Sequence, residues 1–321
     1  MSRKPDDGSA VSLEREWTAI VLPDTQIYSK LFPELLEAQL AWVAHNHQRL
    51  GIRVVIHVGD VVNDNVREQW DRASRAFSRI DGRVPYVIAL GNHDYGPAGD
   101  GSNRETLFLD HFPPERLGGG TVGYFESGRA DNAYRVIETP SGRWLVMALE
   151  FAPRPRAVAW ARDALEQYRA VPALLANHAF LYSDGTRYDA EKQPAQRWSP
   201  HFYGVAEAPE GFCDAEALWQ RLIVPCRNVV TVFSGHAIDP GTNRRSDARP
   251  DGTIVHQLFA NYQTEARGGD GFLRIVRFIG NRRIEVQTYS PALDQFRTDE
   301  ENQFVLELGQ PDDRDRSRHV R

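Results

Sequence analysis

Apolar residues recur along this chain at two spacings. The runs Trp17–Leu22, Ile52–Val58 and Val84–Leu90 are short and almost unbroken, as in strands covered on both faces. Between them, Pro33–Leu50 carries Leu36, Leu40 and Val43 at helical intervals and stops at Gly51, where a helix C-cap is favoured. Val66–Ile80 is a second predicted helix, with Trp70, Phe77 and Ile80 on or near one face. The first half therefore reads β-α-β-α-β. Further on, the strands Ala133–Thr139 and Arg143–Glu150 flank Pro140-Ser141-Gly142, a hairpin signal. Ala157–Tyr168 follows as a helix. Ala173–Ala176, Val229–Phe233, Ile254–Ala260, Phe272–Ile279 and Ile284–Tyr289 are strands, the last two joined through Gly280-Asn281. Two mixed β-sheets face to face with helices outside satisfy both halves, an α/β class of fold.

Two segments interrupt the alternation, near residues 95–129 and 181–212, and both are rich in Gly, Pro, Asp and aromatics. Loops of that length in a compact domain are usually functional or disordered. Residues 1–12 and the charged tail 310–321 (QPDDRDRSRHVR) read as disordered, leaving residues 13–309 as a single domain.

Composition narrows the class. The chain has 321 residues, 41% hydrophobic and 26% charged, with a net charge of −6, ordinary for a globular protein with a sizeable core. The acidic balance argues against long nucleic acid as a partner. It leaves room for a small anionic substrate, because bound cations supply positive charge that residue counting misses. Cys213 and Cys226 lie in no zinc-type spacing and read as packed free thiols. No signal peptide or bilayer-length apolar run is visible, so the expected setting is the cytoplasm, without a membrane partner.

The chemistry gathers at strand ends. Pro23-Asp24-Thr25-Gln26, Gly59-Asp60-Val61-Val62-Asn63-Asp64, Gly91-Asn92-His93-Asp94, Asn177-His178 and Gly235-His236 each follow or end an apolar strand and offer metal-ligating side chains. In open α/β sheets such loops converge beyond the carboxyl ends of the strands. Mixed oxygen and imidazole donors suit borderline divalent metals such as Mn, Fe, Zn or Co.

In order and type, these stretches resemble the calcineurin-like metallophosphoesterase family, whose motifs read D-x-H (or Q), GD-x-x-x-D/N, GNH-D/E, a lone H, then GH-x-H. The resemblance spans about residues 15–300. It implies a four-layer α/β/β/α sandwich. It also implies two divalent metal ions (Mn, Fe or Zn). Asp24 and Gln26 would hold the first, Asp60 would bridge, and Asn92, His178 and His236 would complete the second. His93 would act as general acid beside the phosphate, with Asp94 orienting it. The implied reaction is hydrolysis of a small phosphomonoester or phosphodiester by metal-activated water, His93 protonating the leaving oxygen.

One departure matters. The family's last motif, GH-x-H, stands here as Gly235-His236-Ala237-Ile238, and Ile238 cannot bind a metal. Asp239, His256 or Gln263 could fill the gap. Water or substrate could occupy it, or the first position could be weak or absent. Beyond the metals, Tyr28 reads as lining the pocket mouth, and Asn63, Arg197 and His201 as substrate contacts. Two rival functions accompany this fold: cleavage of a non-phosphate bond (ester or amide hydrolysis, or an elimination) and a non-catalytic binding module.

Overall fold

The computed structural model describes residues 15–117 and 120–309; the ends read as disordered, residues 1–12 and 310–321, lie outside the described residues. The chain runs β1 (Glu16–Leu22), α1 (Gln26–Leu31), α2 (Pro33–Asn46), β2 (Ile52–His57), α3 (Arg67–Phe77) and β3 (Tyr86–Ile88). It continues through α4 (Phe108–His111), β4 (Thr121–Tyr124), β5 (Ala133–Thr139), β6 (Gly142–Leu149), α5 (Pro155–Gln167), β7 (Ala173–Asn177), α6 (Ala215–Leu218) and β8 (Val229–Ser234). β9 (Thr242–Ala248), β10 (Ile254–Ala260), β11 (Leu273–Ile279), β12 (Arg283–Ser290), β13 (Gln295–Arg297) and β14 (Gln303–Glu307) complete it.

These strands make two seven-stranded mixed sheets. In the first the order is β13-β12-β11-β1-β2-β3, with β14 also on β12; in the second it is β4-β5-β6-β7-β8-β10-β9. β1, β2 and β3 are parallel neighbours, and so are β6, β7, β8 and β10. The sheets face each other across an apolar layer. In it Trp17 of β1 stacks on Phe278 of β11, with centroids 4.2 Å apart, and meets Trp144 of β6 edge-on at 5.1 Å. On the outside, α2 and α3 bury Leu36, Leu40, Val43, Trp70 and Phe77, while α5 buries Val158, Ala161 and Leu165 with Leu145 and Leu175 of the second sheet. This is the four-layer α/β/β/α arrangement, and it follows from the pattern: continuous apolar runs need cover on both faces, and amphipathic helices supply the outer layer.

Some elements carry too little pattern to be read from sequence. β9 (TNRRSDA) is an edge strand of polar residues, the composition that discourages edge-to-edge pairing. β3 is shorter than its apolar run because the chain breaks away at Leu90-Gly91 toward the site. Cys213 and Cys226 are buried free thiols, as expected. Among the described residues, no helix is long and apolar enough to cross a membrane.

Candidate metal centre

Six parallel strands end on one rim, three from each sheet. Asp24 follows β1, Asp60 follows β2, and Asn92 and His93 follow β3. His178 follows β7, His236 follows β8, and Asn261 and Gln263 follow β10. All these side chains are buried or half-buried. Asp60 and His236 hold positive φ angles of 52° and 75°, conformations that non-glycine residues adopt at a cost and that cluster at functional sites. Two glycines make the crowding possible. A Cβ at Gly91 would overlap the Asp60 carboxylate, and one at Gly235 would overlap that of Asp24.

The imidazoles are oriented by backbone carbonyls. Nδ1 of His178 lies 3.0 Å from Val58 O, and Nε2 of His236 lies 2.6 Å from Trp198 O. A carbonyl oxygen only accepts, so those nitrogens carry the protons in the neutral rings. That leaves Nε2 of His178 and Nδ1 of His236 as bare lone pairs facing each other at 3.2 Å, with Oδ2 of Asp60 3.2 Å from the first. The ligand atoms of Asp60, His178 and His236 all lie within 4.8 Å of one another. Facing lone pairs repel unless a proton or a cation stands between them, and deprotonated imidazole and carboxylate are what a divalent metal requires. Three amide oxygens add to this. Oε1 of Gln26, Oδ1 of Asn92 and Oε1 of Gln263 are buried with no hydrogen-bond partner among the described residues. Each such orphan costs about 1–3 kcal/mol, a cost that ligation of a cation would remove. The residues present therefore fit a metal.

Protons compete with a cation for these atoms. Burial, aided by the nearby charge of Asp60 and opposed by His178, pushes the Asp24 carboxyl up to about 8. Burial disfavours a charged His178, but Asp60 and Asp24 outweigh it and raise the ring to about 9. Burial and the neighbouring His178 lower His57 and His236 to about 3. Between pH 6.5 and about 9 these shifts run one way. Raised from 3.8 to about 8, Asp24 stays protonated in the fold while the unfolded chain ionises, so rising pH costs stability. His178 contributes stability below 6.5 that is lost as pH climbs through about 9. His57 and His236 act in the opposite sense only below 6.5. The chelator-treated protein is thus expected to melt at progressively lower temperature from pH 6.5 to 9. Mn²⁺ held by Asp24 and His178 would need the first ionised and the second neutral, so added Mn²⁺ is expected to raise the melting temperature more at pH 9 than at 6.5. A metal-induced shift that did not grow with pH, followed by scanning fluorimetry, would contradict this.

His57 has a supporting place. Its Nδ1 accepts from Gly59 N at 3.1 Å and its Nε2 meets Thr25 Oγ1 at 2.9 Å, tying the turns that carry Asp60 and Asp24.

Two expectations need correction. Asp94 does not orient the His93 ring. Its carboxylate is fully buried and accepts the backbone N–H groups of Val62 (3.0 Å) and Gly91 (2.8 Å), so it braces the loops. The His93 ring is held by Asn63, through the backbone carbonyl rather than the side chain, at 2.8 Å from Nδ1. The Asn63 amide turns to Asp64. Tyr28 does not line the mouth either. It is buried in the helix-side core, its hydroxyl accepting from Gly271 N at 3.0 Å.

The cavity at the centre measures about 80 Å³ and is lined by Asp60, Asn92, His93, Trp198, Tyr203, His236, Ile238 and Gln263. His201 is exposed and bonded to Asp214 at 3.0 Å, and Arg197 is exposed beside Trp198. Trp198 and Tyr203 belong to the aromatic 181–212 segment that the sequence marks as a candidate binding loop, whereas Asn261 is not singled out by sequence reasoning. Trp198 acts on His236 through its carbonyl, which no residue type advertises. Asn261 had a signal, its position just past the carboxyl end of a buried strand.

The family model for calcineurin-like phosphoesterases matches residues 20–240. The chain belongs to that family. This calcineurin-like phosphoesterase chain is 29% identical over 288 residues to the Bacillus subtilis (strain 168) protein YvnB, a match covering 86% of this chain and 20% of that protein. It therefore spans about one fifth of that relative's length. Among solved structures it is similar to purple acid phosphatase PPD1 from yellow lupin (Lupinus luteus) seeds, with a TM-score of 0.53 and 14% identity, covering 92% of this chain and 54% of that one. It is also similar to GAP50, described as the anchor in the inner membrane complex of Plasmodium, with a TM-score of 0.51 and 10% identity over 92% of this chain and 89% of that one. At such identities the structural likeness speaks for the fold alone.

Proposed function

We propose that this chain is a metal-dependent phosphoesterase, hydrolysing a phosphomonoester or phosphodiester of a small molecule with His93 as general acid. The observation that carries the reading is the pair of carbonyl-fixed imidazoles, His178 and His236, turning bare nitrogens toward each other and Asp60. Asp24, Gln26 and Asp60 would hold one cation and Asp60, Asn92, His178 and His236 a second, with Mn, Fe or Zn suited to such donors. When bound, the cations would acidify water and neutralise charge on the phosphoryl oxygens.

The chain's own residues supply the rest. The backbone N–H of His93 donates to Asp60 Oδ1 at 2.9 Å, and its Nδ1–H donates to Asn63 O at 2.8 Å. The ring is thereby locked, and Nε2, without a partner among the described residues, is the nitrogen that can hold a proton against a leaving oxygen. Trp198 and Tyr203 line the cavity, the Tyr203 ring packing edge-on against Phe151 with centroids 5.1 Å apart. A volume of about 80 Å³ admits little beyond a phosphoryl group. The body of the substrate would therefore lie along the 181–212 segment, where Arg197 and His201 are exposed to meet it.

The test is turnover of p-nitrophenyl phosphate and its bis ester by protein of measured metal content, with Mn²⁺ and after chelation. Hydrolysis of either ester that is lost on chelation and restored by Mn²⁺ is expected. Metal-loaded protein inert toward both would overturn the phosphoesterase reading and leave cleavage of another bond, or a binding-module role. The partnerless His93 Nε2, lining the cavity, favours catalysis over the latter.

A further inference from the structure

Ile238, which stands where the family's motif has its second histidine, lines the cavity and offers no donor. Two of the three nearby candidates to replace it are otherwise placed. Asp239 is exposed. His256 lies within β10, its Nδ1 2.8 Å from Ser246 Oγ and its Nε2 3.1 Å from Glu307 O. Gln263 is different. It lines the same cavity as Asp60 and Ile238, and its Oε1 is buried without a hydrogen-bond partner among the described residues.

The loop that carries Gln263 is tied to the first ligand. Gln263 N donates to Asn261 Oδ1 at 2.9 Å, and Asn261 Nδ2 donates to Asp24 Oδ2 at 2.8 Å and to His236 O at 3.3 Å. Asn261 thus fixes Asp24 and the start of the Gln263 loop together. On the other side, Gln26, two residues from Asp24, buries a second amide oxygen with no partner.

We infer that Oε1 of Gln263 replaces the missing imidazole. The first metal position is then built from oxygen alone, by Asp24, Gln26, Asp60 and Gln263, beside a second position that holds both imidazoles. The inference rests on the two-cation reading proposed above. Oxygen-only donors suit harder cations such as Mn²⁺ or Mg²⁺, whereas imidazole suits Zn²⁺ and other borderline ions. The two positions therefore select different metals: Zn²⁺ settles at the imidazole side, and the oxygen side prefers Mn²⁺.

Calorimetric titration and elemental analysis of the chelator-stripped full chain, with Mn²⁺ and Zn²⁺ separately and mixed, test this without recourse to activity. The parent is expected to take up two Mn²⁺. From an equimolar mixture it is expected to hold one ion of each kind. Gln263→Ala is expected to weaken the second Mn²⁺ by about tenfold or more, a loss seen even for residues that only support a ligand, with the first ion unchanged. Gln263→Glu, which keeps an oxygen donor and adds charge, is expected to retain or tighten it, so a general failure to fold would show in both variants. If Gln263→Ala bound two Mn²⁺ with parental affinity, the assignment of Gln263 would be wrong while the two-cation reading stood. If the parent held a single ion at every ratio, that reading would fall, and this inference with it.

Discussion

Replacing Asp60 by Asn is expected to strip the centre of metal and lower hydrolysis by on the order of 10²–10³-fold or more, the scale of losing one preorganised charge at a reacting centre. The substitution keeps shape, and Asn tolerates the positive φ of 52° that this position demands, so the fold should survive. What disappears is the charge. Asp60 is fully buried in the site, with Oδ2 3.2 Å from His178 Nε2 and Oδ1 accepting the His93 backbone N–H at 2.9 Å. Burial works against a carboxylate there, yet its histidine neighbours hold its pKa below the ordinary value. The position is therefore built around a negative charge. As the proposed bridging ligand it would serve both cations, so both should be lost together. Elemental analysis beside turnover of bis-p-nitrophenyl phosphate checks this. A variant with full metal content and parental rate would remove Asp60 from the mechanism.

Removing the His93 imidazole should separate chemistry from metal binding. His93→Ala is expected to lower turnover by roughly 10²–10⁴-fold, the usual range for loss of a positioned acid or base, while both cations stay. His93 bonds to Asp60 through its backbone N–H, which alanine retains, while its ring bonds to Asn63 O. A proton donor matters most when the leaving oxygen is basic. The loss should therefore be large for an alkyl phosphate ester and small for a p-nitrophenyl ester, whose leaving group departs as a stable anion. Equal losses on both substrates would point to electrostatic stabilisation rather than proton donation. Unchanged rates on both would remove His93 from the reaction.

The placement of His93 also shows where sequence reading reaches its limit. The GNHD run marks the loop correctly, because glycine after a buried strand and a histidine beside it are local signals. The expectation that Asp94 steers the ring rests on adjacency alone. In the fold, Asp94 turns inward to accept N–H groups from Val62 and Gly91, 3.0 and 2.8 Å away. The ring is steered instead by the carbonyl of Asn63, an acceptor that every residue type possesses and that only a chain reversal can aim. Tyr28 fails for a related reason. Two residues after Gln26, about half a turn of α1, it points into the helix-side core, and proximity in sequence to a ligand says nothing about which face of the helix it leaves from.

What this sequence determines by itself is what short stretches can encode. Unbroken apolar runs demand strands covered on both faces, helical spacing supplies the cover, and a polar ligand just past each run has one rim on which to sit. From that much, the layered fold and the placement of Asp24, Asp60, Asn92, His178 and His236 at strand ends are legible. Tertiary structure decides how strand ends from two separate sheets meet. It selects which imidazole nitrogens are left bare, because carbonyls of Val58 and Trp198, 120 and 38 residues away in the chain, take up the others. It also brings Gln263 into the same cavity as Ile238. These are long-range choices of direction and distance, and no local pattern of residue types carries them.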